Sequence, residues 1–142
     1  MRKSSIAVIS LLIIVAVGLF FFQGEKEIEQ GLWKDATYTE DTTLGSGENG
    51  FDLVVKTPDK EITFTINTDK TTVGEALKEV KLIEGKESEF GIYIKKVNGI
   101  LADYDIDQSY WSFEQNGEAM LTGVDAAEFK NGETFELVYT KQ

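Results

Sequence analysis

Ile62, Phe64 and Ile66 alternate with Glu61, Thr63, Thr65 and Asn67, the period of a strand with one dry face and one wet face. Just upstream, Phe51-Asp52-Leu53-Val54-Val55-Lys56 has the same character, and Thr57-Pro58-Asp59-Lys60 separates the two runs. Proline presets the φ of the second turn position and needs no N–H there, so a hairpin is predicted. The period then changes. Val73, Ala76, Leu77, Val80 and Ile83 recur at steps of three and four after Thr72-Val73-Gly74-Glu75, a capping-box pattern opening an amphipathic helix. That helix is expected to run about three turns and to end at Gly85. Ile92 to Val97 reads as a strand turned by Asn98-Gly99 toward Leu101. Tyr110 to Glu114 and Thr134 to Thr140 supply further strands, beside Asn116-Gly117 and Asn131-Gly132. Asn-Gly pairs tolerate the positive φ of tight hairpins. This order predicts an α+β fold: a β-grasp-like antiparallel or mixed sheet of about five strands, with one helix packed on it.

Ahead of this domain the pattern is different. Met1-Arg2-Lys3 is basic, and Ile6 to Phe22 is uncharged and almost wholly apolar. About 17 residues at ~1.5 Å each reach ~25 Å, within the range of a spanning helix. Residues 1–23 are therefore read as a transmembrane anchor or signal segment. Positive charge before the span places the rest of the chain outside the cell membrane as a single-pass protein. Cleavage after Ala16-Val17-Gly18, giving a secreted form, is the alternative. Residues 24–49, rich in Glu, Thr, Gly and Asp without an apolar period, are expected to form a flexible acidic linker. Within it Trp33 is expected to make an interfacial or transient contact, and no function is assigned to it. Residues 50–142 are the expected folded domain.

Composition removes whole classes of chemistry. The 142 residues carry a net charge of −11, which repels phosphate backbones and argues against nucleic acid as a partner. There is no cysteine and no histidine. That excludes a disulfide framework, a thiolate nucleophile, a Ser-His-Asp relay and an imidazole-ligated metal. The expectation is a protein that is not an enzyme.

Tyr110 and Trp111 are neighbours in a strand and must face opposite sides. Trp111 shares its face with Phe113 and is expected in the core, which turns Tyr110 outward with Ser112 and Glu114. Beside Tyr93 or Tyr104, an outward Tyr110 would make a stacking platform for a sugar, a corrinoid edge or a peptide. The bland alternative is a solitary surface tyrosine. Asp103, Asp105 and Asp107, with Glu114 beyond them, approach a calcium-loop spacing. Gln108 stands where that loop needs glycine, and residues 111–114 are wanted for a strand, so the segment is read as a solvated acidic loop rather than a metal site.

Six segments in order carry a family resemblance: Thr42-Thr43-Leu44-Gly45, Thr72 to Leu77, Tyr93 with Val97-Asn98-Gly99-Ile100, Tyr110-Trp111-Ser112-Phe113, Asn116-Gly117-Glu118 and Gly123-Val124. Together they resemble the bacterial transcobalamin-like carboxy-terminal domain family, domain of unknown function 4430. The resemblance implies the fold, and it implies capture of cobalamin or a similar corrinoid as ligand, with no covalent cofactor. In the cobalamin carriers the similar domain forms one half of the pocket, with the segment like Tyr110-Trp111-Ser112 near the ligand, and a helical domain forms the other half. This chain has no such helical domain, so a second protein is expected to complete the site. The competing expectation is a cell-envelope protein-interaction or structural module without a small-molecule ligand.

Overall fold

The computed structural model describes residues 31–142. It contains β1 (Thr42–Leu44), β2 (Asn49–Thr57), β3 (Lys60–Thr68), α1 (Val73–Glu79), β4 (Ile83–Ser88), β5 (Gly91–Val97), β6 (Ile100–Leu101), α2 (Tyr104–Asp107), β7 (Ser109–Gln115), β8 (Glu118–Ala119) and β9 (Thr134–Lys141). Short 3-10 turns cover Gly31–Asp35 and Val124–Ala126. Residues 35–142 form one compact unit. The expected anchor at residues 1–23 lies outside the described residues. Among the described residues no helix is long and apolar enough to cross a membrane.

Strands of this unit form two sheets. The larger has the order β1-β3-β2-β9-β7-β8 and the smaller β4-β5-β6. The hairpin β2–β3 is antiparallel, with Leu53 opposite Phe64 and Thr57 opposite Lys60. β9 runs parallel to β2 and antiparallel to β7, and β1 runs parallel to β3. The sheet is mixed and the class is α+β, as the element order predicts. The expected single sheet of about five strands is corrected: the Ile92–Val97 strand belongs to a separate three-stranded sheet. The dry faces of the larger sheet carry Leu53, Val55, Phe64, Ile66, Phe135 and Leu137, all essentially inaccessible to solvent. Val73, Ala76 and Leu77 of α1 are buried with them, so the helix presents the predicted stripe to the core.

The helix is shorter than its apolar spacing predicts. Thr72 Oγ1 accepts the Glu75 N–H at 3.2 Å, but Glu75 turns its carboxylate to Thr71 rather than back to Thr72, so the box is half formed. The helix stops at Glu79, because Lys81 adopts φ 60°. The Leu82 N–H then reaches the Leu77 carbonyl at 2.9 Å and the Lys81 N–H the Lys78 carbonyl at 3.0 Å, the two bonds of a Schellman ending. Ile83 therefore opens β4, and Gly85 is no helix cap. It sits at a bulge in the β4–β5 ladder, where a Cβ would come within 2.0 Å of the Tyr93 carbonyl oxygen.

The expected linker is also corrected for residues 35–49. Thr42–Leu44 pairs with β3, and Tyr38 is held on both sides by Asn98. The Tyr38 N–H donates to Asn98 Oδ1 at 2.9 Å, and Asn98 Nδ2 donates to the Tyr38 carbonyl at 2.8 Å. Asn98, with φ 55°, is at once a residue of the β5–β6 turn and a buried clasp. Trp33 is buried too, at 1% exposure.

Candidate functional site

A cleft of about 330 Å³ opens between β5 and β7. Ile92, Tyr93 and Ile94 line one wall; Tyr110, Trp111 and Phe113 line the other. Tyr104 of α2 and the Gly123-Val124 segment complete the lining. Side chains of successive strand residues point to opposite faces. Three adjacent residues on one wall, and two on the other, therefore mean that the cleft runs along the edges of the two strands.

Local chemistry places each ring. The Asn116-Gly117 turn, with φ 55° and 80°, sets the β7–β8 register and so the facing of Trp111. The Trp111 indole N–H donates to the Ile100 carbonyl at 3.2 Å, and its ring meets Tyr139 edge-on at 5.6 Å between centroids. Trp111 is thus a fixed, buried wall, as expected. Tyr110 is half-buried, and its ring lies 6.4 Å from that of Tyr104. Tyr104 and Tyr93 are exposed at 40% and 45%. The Tyr104 hydroxyl is held by the Gln142 side chain. Four residues anticipated from sequence, Tyr93, Tyr104, Tyr110 and Trp111, therefore surround one cleft. Ser112 is not among them; it is half-buried opposite Val138 and does not line the cleft.

Sequence reasoning missed Ile92, Ile94 and Phe113, which read as ordinary core positions. It also missed Asp125. This carboxylate accepts the Ile92 N–H at 2.8 Å and pairs with Lys78, whose Nζ also reaches Glu87 at 3.2 Å. Partial burial pulls the Lys78 ammonium down, but its bonds to Asp125 and Glu87 outweigh that and hold its pKa above the ordinary lysine range. Gly74 and Gly91 pack against Asp125, where a Cβ would lie 2.3 and 3.1 Å from its carboxylate oxygens. At position 74 a Cβ would collide with the carboxylate, and at position 91 the φ of 103° favours glycine.

Asp103, Asp105 and Asp107 serve their own backbone. Asp103 caps α2 by accepting the Asp105 N–H at 3.0 Å, and Asp107 accepts the Ser109 N–H at 3.1 Å. The Ser109 hydroxyl also donates to Asp107 and lowers its pKa, outweighing desolvation. Among the described residues no group of three metal-ligating side chains comes together. A larger polar depression of about 520 Å³, lined by Asn49, Lys70, Thr71 and Asn131 among others, contains none of the anticipated residues.

Comparison with known proteins bears on the family and the fold. The family model described as Domain of unknown function (DUF4430) matches residues 70–141, from just before α1 to the last residue of β9. No curated protein matches the chain. A crystal structure of a candidate metal-binding protein from Ruminococcus gnavus ATCC 29149 is similar at 30% identity and TM-score 0.62, over 67% of this chain and 99% of that one. The crystal structure of haptocorrin in complex with Cbi is similar at 22% identity and TM-score 0.53, over 66% of this chain and 25% of that one. At that identity the likeness shows a shared fold.

Proposed function

Since the chain belongs to the DUF4430 family, we propose that it is a membrane-anchored, non-enzymatic binding module on the outer side of the cell membrane, whose aromatic cleft receives one edge of a corrinoid or a similar flat small molecule. The observation that carries this is the convergence of Tyr93, Tyr104, Tyr110 and Trp111 on one apolar cleft. Rings of this kind offer large contact area with few torsions to freeze. The haptocorrin fold, seen with Cbi bound, supports the ligand class. The apolar, uncharged Ile6–Phe22 stretch supports the location.

A cleft of about 330 Å³ that stands open to solvent covers only part of a macrocycle. A second protein is required to close it. Phe90 and Leu121, exposed at 88% and 102%, lie next in sequence to the lining strand β5 and to the Gly123-Val124 segment, where such a protein would rest. The same two residues favour a second reading, a protein-interaction module without a small ligand.

Titration of the full chain with cobalamin separates the readings. Saturable quenching of tryptophan emission, weakened by Tyr110→Ala, supports the first. Unchanged emission at about 1 mM, equivalent to binding weaker than ~4 kcal/mol, removes it and leaves the second.

A further inference from the structure

Trp111 and Phe113 turn their main-chain groups away from β9. The hairpin-closing pair Gln115↔Glu118 fixes this facing, because alternate residues of a strand address opposite neighbours. The Met120 N–H on the Phe113 carbonyl, at 2.9 Å, is the last rung on that side. Beyond it the chain leaves the ladder, and Leu121 stands fully in solvent. Among the described residues the Trp111 N–H and C=O and the Phe113 N–H then meet no main-chain partner. Across the cleft, β5 is paired with β4 on one side. On its other side β6 pairs only with Lys96 and Val97, and the Ile92 N–H is taken by Asp125.

The cleft thus follows a slot along the β7 edge, which β8 pairs at one end and which is vacant at the other. An open edge in an apolar setting is a template for an added strand. Charge says what kind. Asp103 and Asp105, which flank the lining residue Tyr104, and Glu118 on β8 make no ion pair among the described residues, on a chain of net charge −11.

We infer that an extended, positively charged segment of a second protein lies in this slot in line with β8, completing the ladder on Trp111 and Phe113. This rests on the reading of the cleft as the binding site, and it specifies how the second protein reaches it. Side chains of the segment alternate between the two faces of the extended ladder, and its basic ones meet the acidic groups beside Tyr104 and on β8.

The probe is a capped heptapeptide alternating lysine with valine and phenylalanine, titrated into the full chain with hydrogen exchange followed at the Trp111 and Phe113 amides. Saturation should slow exchange at both by about tenfold or more. N-methylation at one peptide residue that faces β7 should weaken binding by about tenfold, and methylation of its neighbour by less than about twofold. Replacing the lysines by glutamates should weaken it by at least about tenfold. Equal effects of the two methylations, unchanged exchange at Trp111 and Phe113, or no binding at about 1 mM would each overturn the inference. Where cobalamin still quenches tryptophan emission, such a result leaves the ligand reading intact. Loss of both responses removes the cleft as the site.

Discussion

Lys78 Nζ lies 3.0 Å from each carboxylate oxygen of Asp125. The pair joins α1 to the Val124–Ala126 turn, and through the Ile92 N–H it joins both to the cleft wall. The Lys78 side chain is 33% exposed, so the ion pair itself is worth little. The main-chain bond to Ile92 matters more.

Asp125→Ala should therefore cost about 1–3 kcal/mol in urea unfolding, chiefly by orphaning the Ile92 N–H. Asp125→Asn keeps an acceptor and should cost about half as much. Equal losses would mean that the charge, rather than the acceptor, holds the hairpin.

Gly74→Ala reverses an ordinary expectation. In a helix the change usually stabilises by about 1 kcal/mol. Here the new methyl would sit 2.3 Å from Asp125 Oδ1 and 2.9 Å from its backbone nitrogen. A fall in thermal midpoint equivalent to about 1–3 kcal/mol is expected, and Gly74→Ala combined with Asp125→Gly should cost less than the sum of the two single changes.

Asn98→Ala should cost about 2–3 kcal/mol, because it leaves both main-chain groups of Tyr38 unpaired and keeps a left-handed φ without the amide that suits it. Amide exchange at Thr37 and Tyr38 should rise before that of β2 and β3. If all of these amides accelerate together, the 35–44 segment unfolds with the sheet and not ahead of it.

Lys56 Nζ lies 2.9 Å from Glu136 Oε2. Its hydrogen bond lowers the Glu136 pKa despite desolvation, with help from the Gly117 N–H. A carboxylate whose folded pKa is depressed contributes stability that is present above its unfolded pKa and lost as pH falls through the folded one. Stability should thus decline below the ordinary glutamate range, and Glu136→Gln should flatten that acid limb in urea midpoints measured against pH.

How much was legible depended on whether a signal was local. The Pro58-Asp59, Asn98-Gly99 and Asn116-Gly117 turns carry their own backbone preference, so the hairpins around them could be read directly. The aromatic residues of the cleft were legible as types, since Tyr110 and Trp111 had to face apart. Ile83 misled because it continues the spacing of three and four by accident, while every residue of β4 after it is exposed and shows no alternation. Thr42–Leu44 is a three-residue strand without an apolar period, and it follows a segment clasped by Asn98, some 60 positions along the chain from Tyr38. The division into two sheets, and hence the cleft between β5 and β7, arises from such distant contacts and has no local mark.

β9 touches β2 on one side and β7 on the other, and nothing else in the larger sheet joins those two. It is also the last of the strands to leave a ribosome. In a nascent chain that has emerged only as far as Asn131, the margins of β2 and β7 therefore lack their shared partner. Vectorial synthesis makes this domain wait for its keystone, and any holding factor that guards it must guard those two margins until Lys141 is free.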